Sequence, residues 1–169
     1  MDASAFLALA IACAPQLHAD TARALVGVES AFNPWAIGVV GGQLVRQPRN
    51  RSEALATAQA LQANGWNFSV GLGQINLGNF ERLGLTVNTA FDPCTNLTAM
   101  QKVLTDCMDR VPASHRRTGQ VQAALRQALS CYYSGNFVTG FTHGYVRKVA
   151  IAAGDHALPF TTTQPKEKP

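Results

Sequence analysis

Apolar residues recur at helical spacing along most of this chain. Phe6 to Ala14 (FLALAIACA) is continuously apolar and predicts a first helix over residues 3–14, stopped by Pro15. Ala22, Leu25, Glu29 and Phe32 follow i, i+3, i+7, i+10. They predict a second helix with Asp20 as N-cap, closed by Asn33-Pro34. Leu97, Met100, Val103/Leu104, Cys107 and Val111 mark a helix over residues 96–111. Val121, Leu125, Ala128 and Tyr132 mark another over 120–133, and Tyr145, Val149 and Ala152 a last one over 141–153.

Between these helices the period changes. Residues 36–40 and 43–47 flank Gly41-Gly42, the pattern of a hairpin with a two-residue turn. Ser52 is a cap for a third helix that ends before Gly65. Residues 66–70 are aromatic and β-branched and predict a third strand. A short helix over 77–83 follows, capped by Asn76 and stopped by Gly84, and residues 85–93 read as loop. The tail from Thr161 (TTTQPKEKP) is polar and punctuated by proline, so it reads as frayed. The expectation is one domain over residues 1–160 and a flexible tail over 161–169. Its class is α+β, predominantly α: six or seven helices with a small antiparallel β element.

Composition narrows the function classes. With 47% hydrophobic and 14% charged residues, the chain has the make-up of a folded domain. The net charge is +4, but the basic residues are scattered, with Arg46, Arg49, Arg51 and Arg116, Arg117 only loosely grouped. They do not alternate with aromatics, which argues against a nucleic-acid groove. No segment reaches the roughly 20 apolar residues of a membrane span. The run FLALAIACA resembles the apolar part of a signal peptide, yet no Lys or Arg precedes it and Pro15 follows at once, so it reads as a core helix. The four cysteines lack zinc-site spacing and fit either two disulfides or four buried thiols. His18, His115, His143 and His156 are dispersed and read as surface residues, and Ser134 has no His/Asp partner nearby in sequence.

The ten acidic residues are quickly sorted. Asp20 reads as a cap, Glu53 sits in a first helical turn, and Asp92 lies in a loop before Pro93. Asp106, Asp109, Glu81 and Asp155 fall on polar faces or helix ends, and Asp2 and Glu167 are terminal. Glu29 differs, because it lies on or beside the apolar stripe of its helix, in the last turn. Desolvation and the negative end of the helix dipole would both raise its pKa, as a general acid requires. Two readings stay open on this pattern alone: a general acid, or a carboxylate that reaches the surface from the edge of the stripe.

Three segments carry a resemblance. Glu29-Ser30-Ala31-Phe32-Asn33-Pro34 (ESAFNP) is similar to the catalytic Glu-Ser motif of the lysozyme-like lytic transglycosylases. Gly71-Leu72-Gly73-Gln74-Ile75-Asn76 (GLGQIN) resembles that family's Gly-Leu-Met-Gln-Ile-Asn, and Cys131-Tyr132-Tyr133-Ser134-Gly135-Asn136 (CYYSGN) its Ala-Tyr-Asn-x-Gly. The segments DPCTNL (92–97) and GYVRKV (144–149) are similar to the branch associated with type IV secretion and conjugation systems, as is the long stretch between Pro34 and Gly71. The resemblance spans roughly residues 3–153. Gly73 stands where the family has Met, removing a side chain expected to line the cleft, and Tyr133 stands where it has Asn.

The resemblance implies a peptidoglycan lytic transglycosylase with Glu29 as its catalytic acid. It implies that Tyr132 hydrogen-bonds near that acid and that Gln74 donates to the sugar or its acetamido group. Ser30, Asn76 and Tyr145 are further candidates for substrate contact; each has a structural alternative, as a helix-end group, a helix cap and a packing aromatic. Trp35 and Trp66 could stack on sugars, with burial as the default. The implied partners are peptidoglycan glycan strands and components of a type IV secretion system. No metal or organic cofactor is implied. The implied compartment is the periplasm, with any export leader already removed. An oxidising compartment favours two disulfides, expected as Cys13–Cys94 and Cys107–Cys131. A lysozyme-type hydrolase and a non-catalytic peptidoglycan-binding assembly factor are the alternatives.

Overall fold

The computed structural model describes residues 1–117 and 119–154. The expected tail, Asp155, His156 and Glu167 lie outside the described residues.

Helix α1 (Ala3–Cys13) starts at Asp2, whose carboxylate accepts from the amide of Ala5 at 2.9 Å. It buries Phe6 and Ala10 while Leu7 and Ile11 face out. Helix α2 (Ala19–Ser30) is capped by the ring of His18, which accepts from the Asp20 amide, and not by Asp20 itself. Asp20 stands in the first turn, where its charge suits the helix dipole. The helix stops at Ser30, two residues before the expected end, because Ala31 and Phe32 both adopt left-handed conformations, at φ +50° and +62°. The Phe32 ring turns back against the edge of Phe6, at 5.1 Å between centroids, which anchors this sharp exit.

The β element is antiparallel, in the order β1 (Ile37–Val39), β2 (Phe68–Val70), β3 (Ile75–Asn76). Ile37 pairs with Val70 and Val39 with Phe68, while Val70 also faces Ile75. The expected hairpin across Gly41-Gly42 does not form, since residues 43–47 are not a strand. A side chain takes that strand's place. The Gln47 amide accepts from the Ile37 N–H at 2.8 Å and donates to the Ile37 carbonyl at 2.9 Å. Both backbone groups of the edge residue are thereby satisfied without a partner strand.

Helix α3 (Arg51–Ala63) is capped by Asn50 instead of Ser52; the Asn50 Oδ1 accepts from the Glu53 amide. Asn76 caps a 3₁₀ turn, Leu77–Asn79, which leads into α4 (Phe80–Leu83), and Gly84 ends it as expected. The segment read as loop contains α5 (Val87–Ala90), opened by a Thr86/Thr89 capping box. Helix α6 (Pro93–Arg110) begins earlier than its apolar stripe, because Asp92 accepts from Thr95 and Pro93 suits a first turn. After a 3₁₀ turn at Ala113–Arg116, α7 (Val121–Ser134) runs to Gly135. The last expected helix is two, α8 (Thr139–Thr142) and α9 (Tyr145–Ala152), divided by Gly144 at φ +73°.

This is an α+β fold dominated by helices. α6 packs on both α7 and α1, and α2 packs on α9. Leu25, Val26, Phe68, Val70, Leu72, Met100, Leu125, Leu129 and Val149 form one continuous core between helices and sheet. Two disulfides staple it, in the expected pairing: Cys13–Cys94 joins the end of α1 to the start of α6, and Cys107–Cys131 joins α6 to α7. Trp35 is half-buried against the core, whereas Trp66, expected to be buried, is 47% exposed. No helix of the described residues is long and apolar enough to cross a membrane.

Candidate active site

Glu29 stands in the last turn of α2, on the wall of an open cleft of about 610 Å³. The sheet, the loop before β3 and the end of α7 supply the other walls, through Val39, Asn67, Gln74, Tyr132 and Tyr133 among others. Glu29 is the one carboxylate among the described residues that line the cleft. It is half-buried, and burial pushes its carboxyl from the ordinary 4.5 up to about 7. One interaction opposes this: the hydroxyl of Tyr145 donates to Glu29 Oε1 and favours the ionised form.

Two tyrosines stand near Glu29 and do different work. Tyr132 does not hold Glu29; its hydroxyl donates to the Gly73 carbonyl, tying α7 to the loop before β3. The phenol that holds Glu29 is Tyr145, 5% exposed at the start of α9. Burial and the nearby Glu29 charge push both phenols well above their ordinary values, so both remain donors. The reason lies in the break at Gly144, which ends α8 and starts α9 with Tyr145 facing the C-terminal turn of α2.

The Gly71–Gln74 loop is built around a buried amide. Asn96, 1% exposed on α6, donates to the carbonyls of Val70 and Ala90 at 3.0 and 2.8 Å and accepts from the Gly73 amide at 2.7 Å. Gly71 is required here: its φ is +78°, and a Cβ would lie 2.3 Å from the Asn96 nitrogen. Gln74, at φ +47°, points its amide nitrogen at the carbonyls of Ala36 and Gly71, at 3.1 and 3.0 Å. Both donors of this amide are thus engaged inside the protein in this structure, and Gln74 still lines the cleft. The missing side chain at Gly73 does not widen the cleft either. A Cβ there would point at Met100, 2.9 Å away, and at the Tyr132 hydroxyl.

Asn76 lines the cleft, but its amide serves the sheet end, donating to Asn67, Phe68 and Ser69 and accepting from Gly78. Ser30 donates back to the Val26 carbonyl at 3.2 Å and serves the helix end. Sequence reasoning missed Asn96, although a polar residue at i−4 from Met100 on an apolar stripe was a usable signal. It also missed Ser130 and Gly140. The Ser130 hydroxyl accepts from the Gly140 amide at 3.0 Å, and a Cβ on Gly140 would meet Ser130 Cα at 2.5 Å. This close approach of α8 to α7 brings His143, read as a plain surface residue, into the cleft wall.

A carboxyl with a raised pKa, held by a buried phenol and without a second carboxylate among the described residues of its cleft, is suited to donating one proton and taking it back. The family profile described as Transglycosylase SLT domain matches residues 6–153 of this chain. The chain belongs to the transglycosylase SLT domain family. Among the relatives of this SLT domain is the type IV secretion system protein virB1 of Brucella abortus, 52% identical over 153 residues. The protein of the same name from Brucella suis matches to the same extent. Protein virB1 of Agrobacterium fabrum is 37% identical over 157 residues. These alignments cover 88% and 92% of this chain, but only 63% and 61% of the relatives, so the SLT domain spans under two thirds of their length. No solved structure matches it.

Proposed function

We propose that this chain is a peptidoglycan lytic transglycosylase, which cleaves the β-1,4 bond between N-acetylmuramic acid and N-acetylglucosamine and leaves a 1,6-anhydromuramyl end. The observation that carries this reading is Glu29, the one carboxylate among the described residues of its cleft, with its pKa pushed up to about 7 by burial.

The reaction balances with one carboxyl. Glu29 donates its proton to the bridging oxygen as the bond to muramyl C1 breaks, and the substrate's own N-acetyl group stabilises C1. Glu29, now ionised and steadied by the Tyr145 hydroxyl, accepts the proton of the muramyl C6 hydroxyl as that oxygen bonds to C1. The acid is restored and no water is consumed. A hydrolase with two carboxylates would need a second one about 5–10 Å away. The described lining of the cleft offers none, which favours internal capture over hydrolysis.

The names of the virB1 relatives and the two disulfides support a site of action outside the cytoplasm, in the periplasm, where the enzyme opens the wall locally for a type IV secretion or conjugation apparatus. Purified sacculi incubated with wild type and Glu29→Gln test the reading. Soluble muropeptides from wild type and none from the variant are expected; equal release from both would overturn it, and no release from either would mark a binding protein.

A further inference from the structure

We propose that Tyr133 is a sugar-stacking platform of the cleft, taking the C–H face of an N-acetylhexosamine ring beside Glu29. The proposal rests on the glycan-cleaving reading above and names a group that sets how the glycan is held. Tyr133 lies in the last turn of α7 and lines the same cleft as Glu29. It is 45% exposed, so a large part of the ring is free to meet a ligand.

Its position is fixed from two sides. One face stacks on Tyr145, with centroids 4.6 Å apart and planes at 19°. Its hydroxyl lies 3.2 Å from His143 Nδ1, and the His143 ring meets it nearly edge-on at 80°. Tyr145 covers one face, so the exposure of Tyr133 comes from the opposite face and the ring edges. A ring held in place before any ligand arrives loses little freedom on binding, which favours affinity. The neighbouring Tyr132 is half-buried with its hydroxyl committed to Gly73, so it does not offer the same surface. Pyranose rings carry an apolar C–H face that packs on aromatic rings. A flat contact thus replaces the amide that the motif has at this position.

Contact with Tyr145 gives Tyr133 a second conceivable role, in positioning the partner of Glu29, and the two roles predict different readouts. Affinity for the N-acetylglucosamine hexamer is measured calorimetrically on the Glu29→Gln protein, which cannot turn over, and on the same protein carrying Tyr133→Phe or Tyr133→Leu. Leucine fills the space against Tyr145 without a flat face, and circular dichroism checks that each variant is folded. Tyr133→Leu should weaken binding about three- to tenfold, while Tyr133→Phe stays within about twofold. In the active enzyme, Tyr133→Leu should leave the alkaline limb of the pH profile in place. Equal affinities for all three proteins, or a moved limb with affinity unchanged, would overturn the platform. The glycan-cleaving reading fails separately, if wild type releases no muropeptide while the leucine variant still loses affinity for the hexamer.

Discussion

The hydroxyl of Tyr145 donates to the carboxylate of Glu29 although 116 residues separate them in the chain. Two opposed influences meet in this contact. Burial holds the proton on Glu29, and the phenol eases its departure. An acid that must become a base within one turnover needs both.

Removing the phenol should therefore shift the balance in a defined direction. Tyr145→Phe takes away a hydrogen bond that favours the ionised form, so the Glu29 pKa rises above about 7. The alkaline limb of kcat/KM, which the wild type should show near pH 7, is expected to move up by about one unit, with the maximal rate down about tenfold. Muropeptide release measured from pH 5 to pH 9 checks it. A limb that stays put or moves down contradicts the role assigned to Tyr145.

The same carboxyl has a stability signature. Its folded-state pKa is about 7 against an ordinary 4.5, so the unfolded chain gives up this proton first as pH rises. Stability contributed by Glu29 is thus full below pH 4.5 and falls through the window up to about pH 7, by up to about 3 kcal/mol. Glu29→Gln does not titrate there. Urea melts should find the variant more stable than wild type at pH 8 and about equal at pH 4.

How much of this was legible in the sequence differs by residue. The long helices were, because their apolar stripes are regular, and Glu29 stood out by interrupting one. The motif resemblance located the loop before β3 and the end of α7. What stayed hidden depended on contacts distant in sequence. No local pattern tells that Gln47 replaces a strand beside Ile37, or that Gly144 turns Tyr145 toward Glu29. Caps were misplaced by a residue or two, since His18 and Asn50 compete locally with Asp20 and Ser52 for the same amides.

Asn96 should be among the least replaceable residues outside the cleft. Asn96→Ala leaves the Gly73 amide and the carbonyls of Val70 and Ala90 without their partner in the core. A loss of about 3 kcal/mol or more is expected, with activity falling further as the Gly71–Gln74 loop loosens. Asn96→Asp keeps the acceptor for Gly73 but loses both donors, and should be comparably damaging. Thermal melts and muropeptide release measure the two effects.

The disulfides should contribute unequally. Cys13–Cys94 spans 81 residues and Cys107–Cys131 spans 24. Loop-closure entropy then assigns about 4.5 kcal/mol to the first and about 3.5 kcal/mol to the second. Paired Cys→Ser variants, compared by denaturant melts, should be destabilised in that order. Non-reducing peptide mapping that finds only free thiols would contradict both bridges.

The central claim is that Glu29 recovers its proton from the substrate's own C6 hydroxyl and not from water. Digestion of sacculi in ¹⁸O-labelled water, followed by mass spectrometry of the released muropeptides, tests it most directly. Wild type should release unlabelled anhydromuramyl ends, each lighter by one water than a reducing end, and Glu29→Gln should release none. Reducing ends carrying ¹⁸O, or equal release by the variant, would contradict the account.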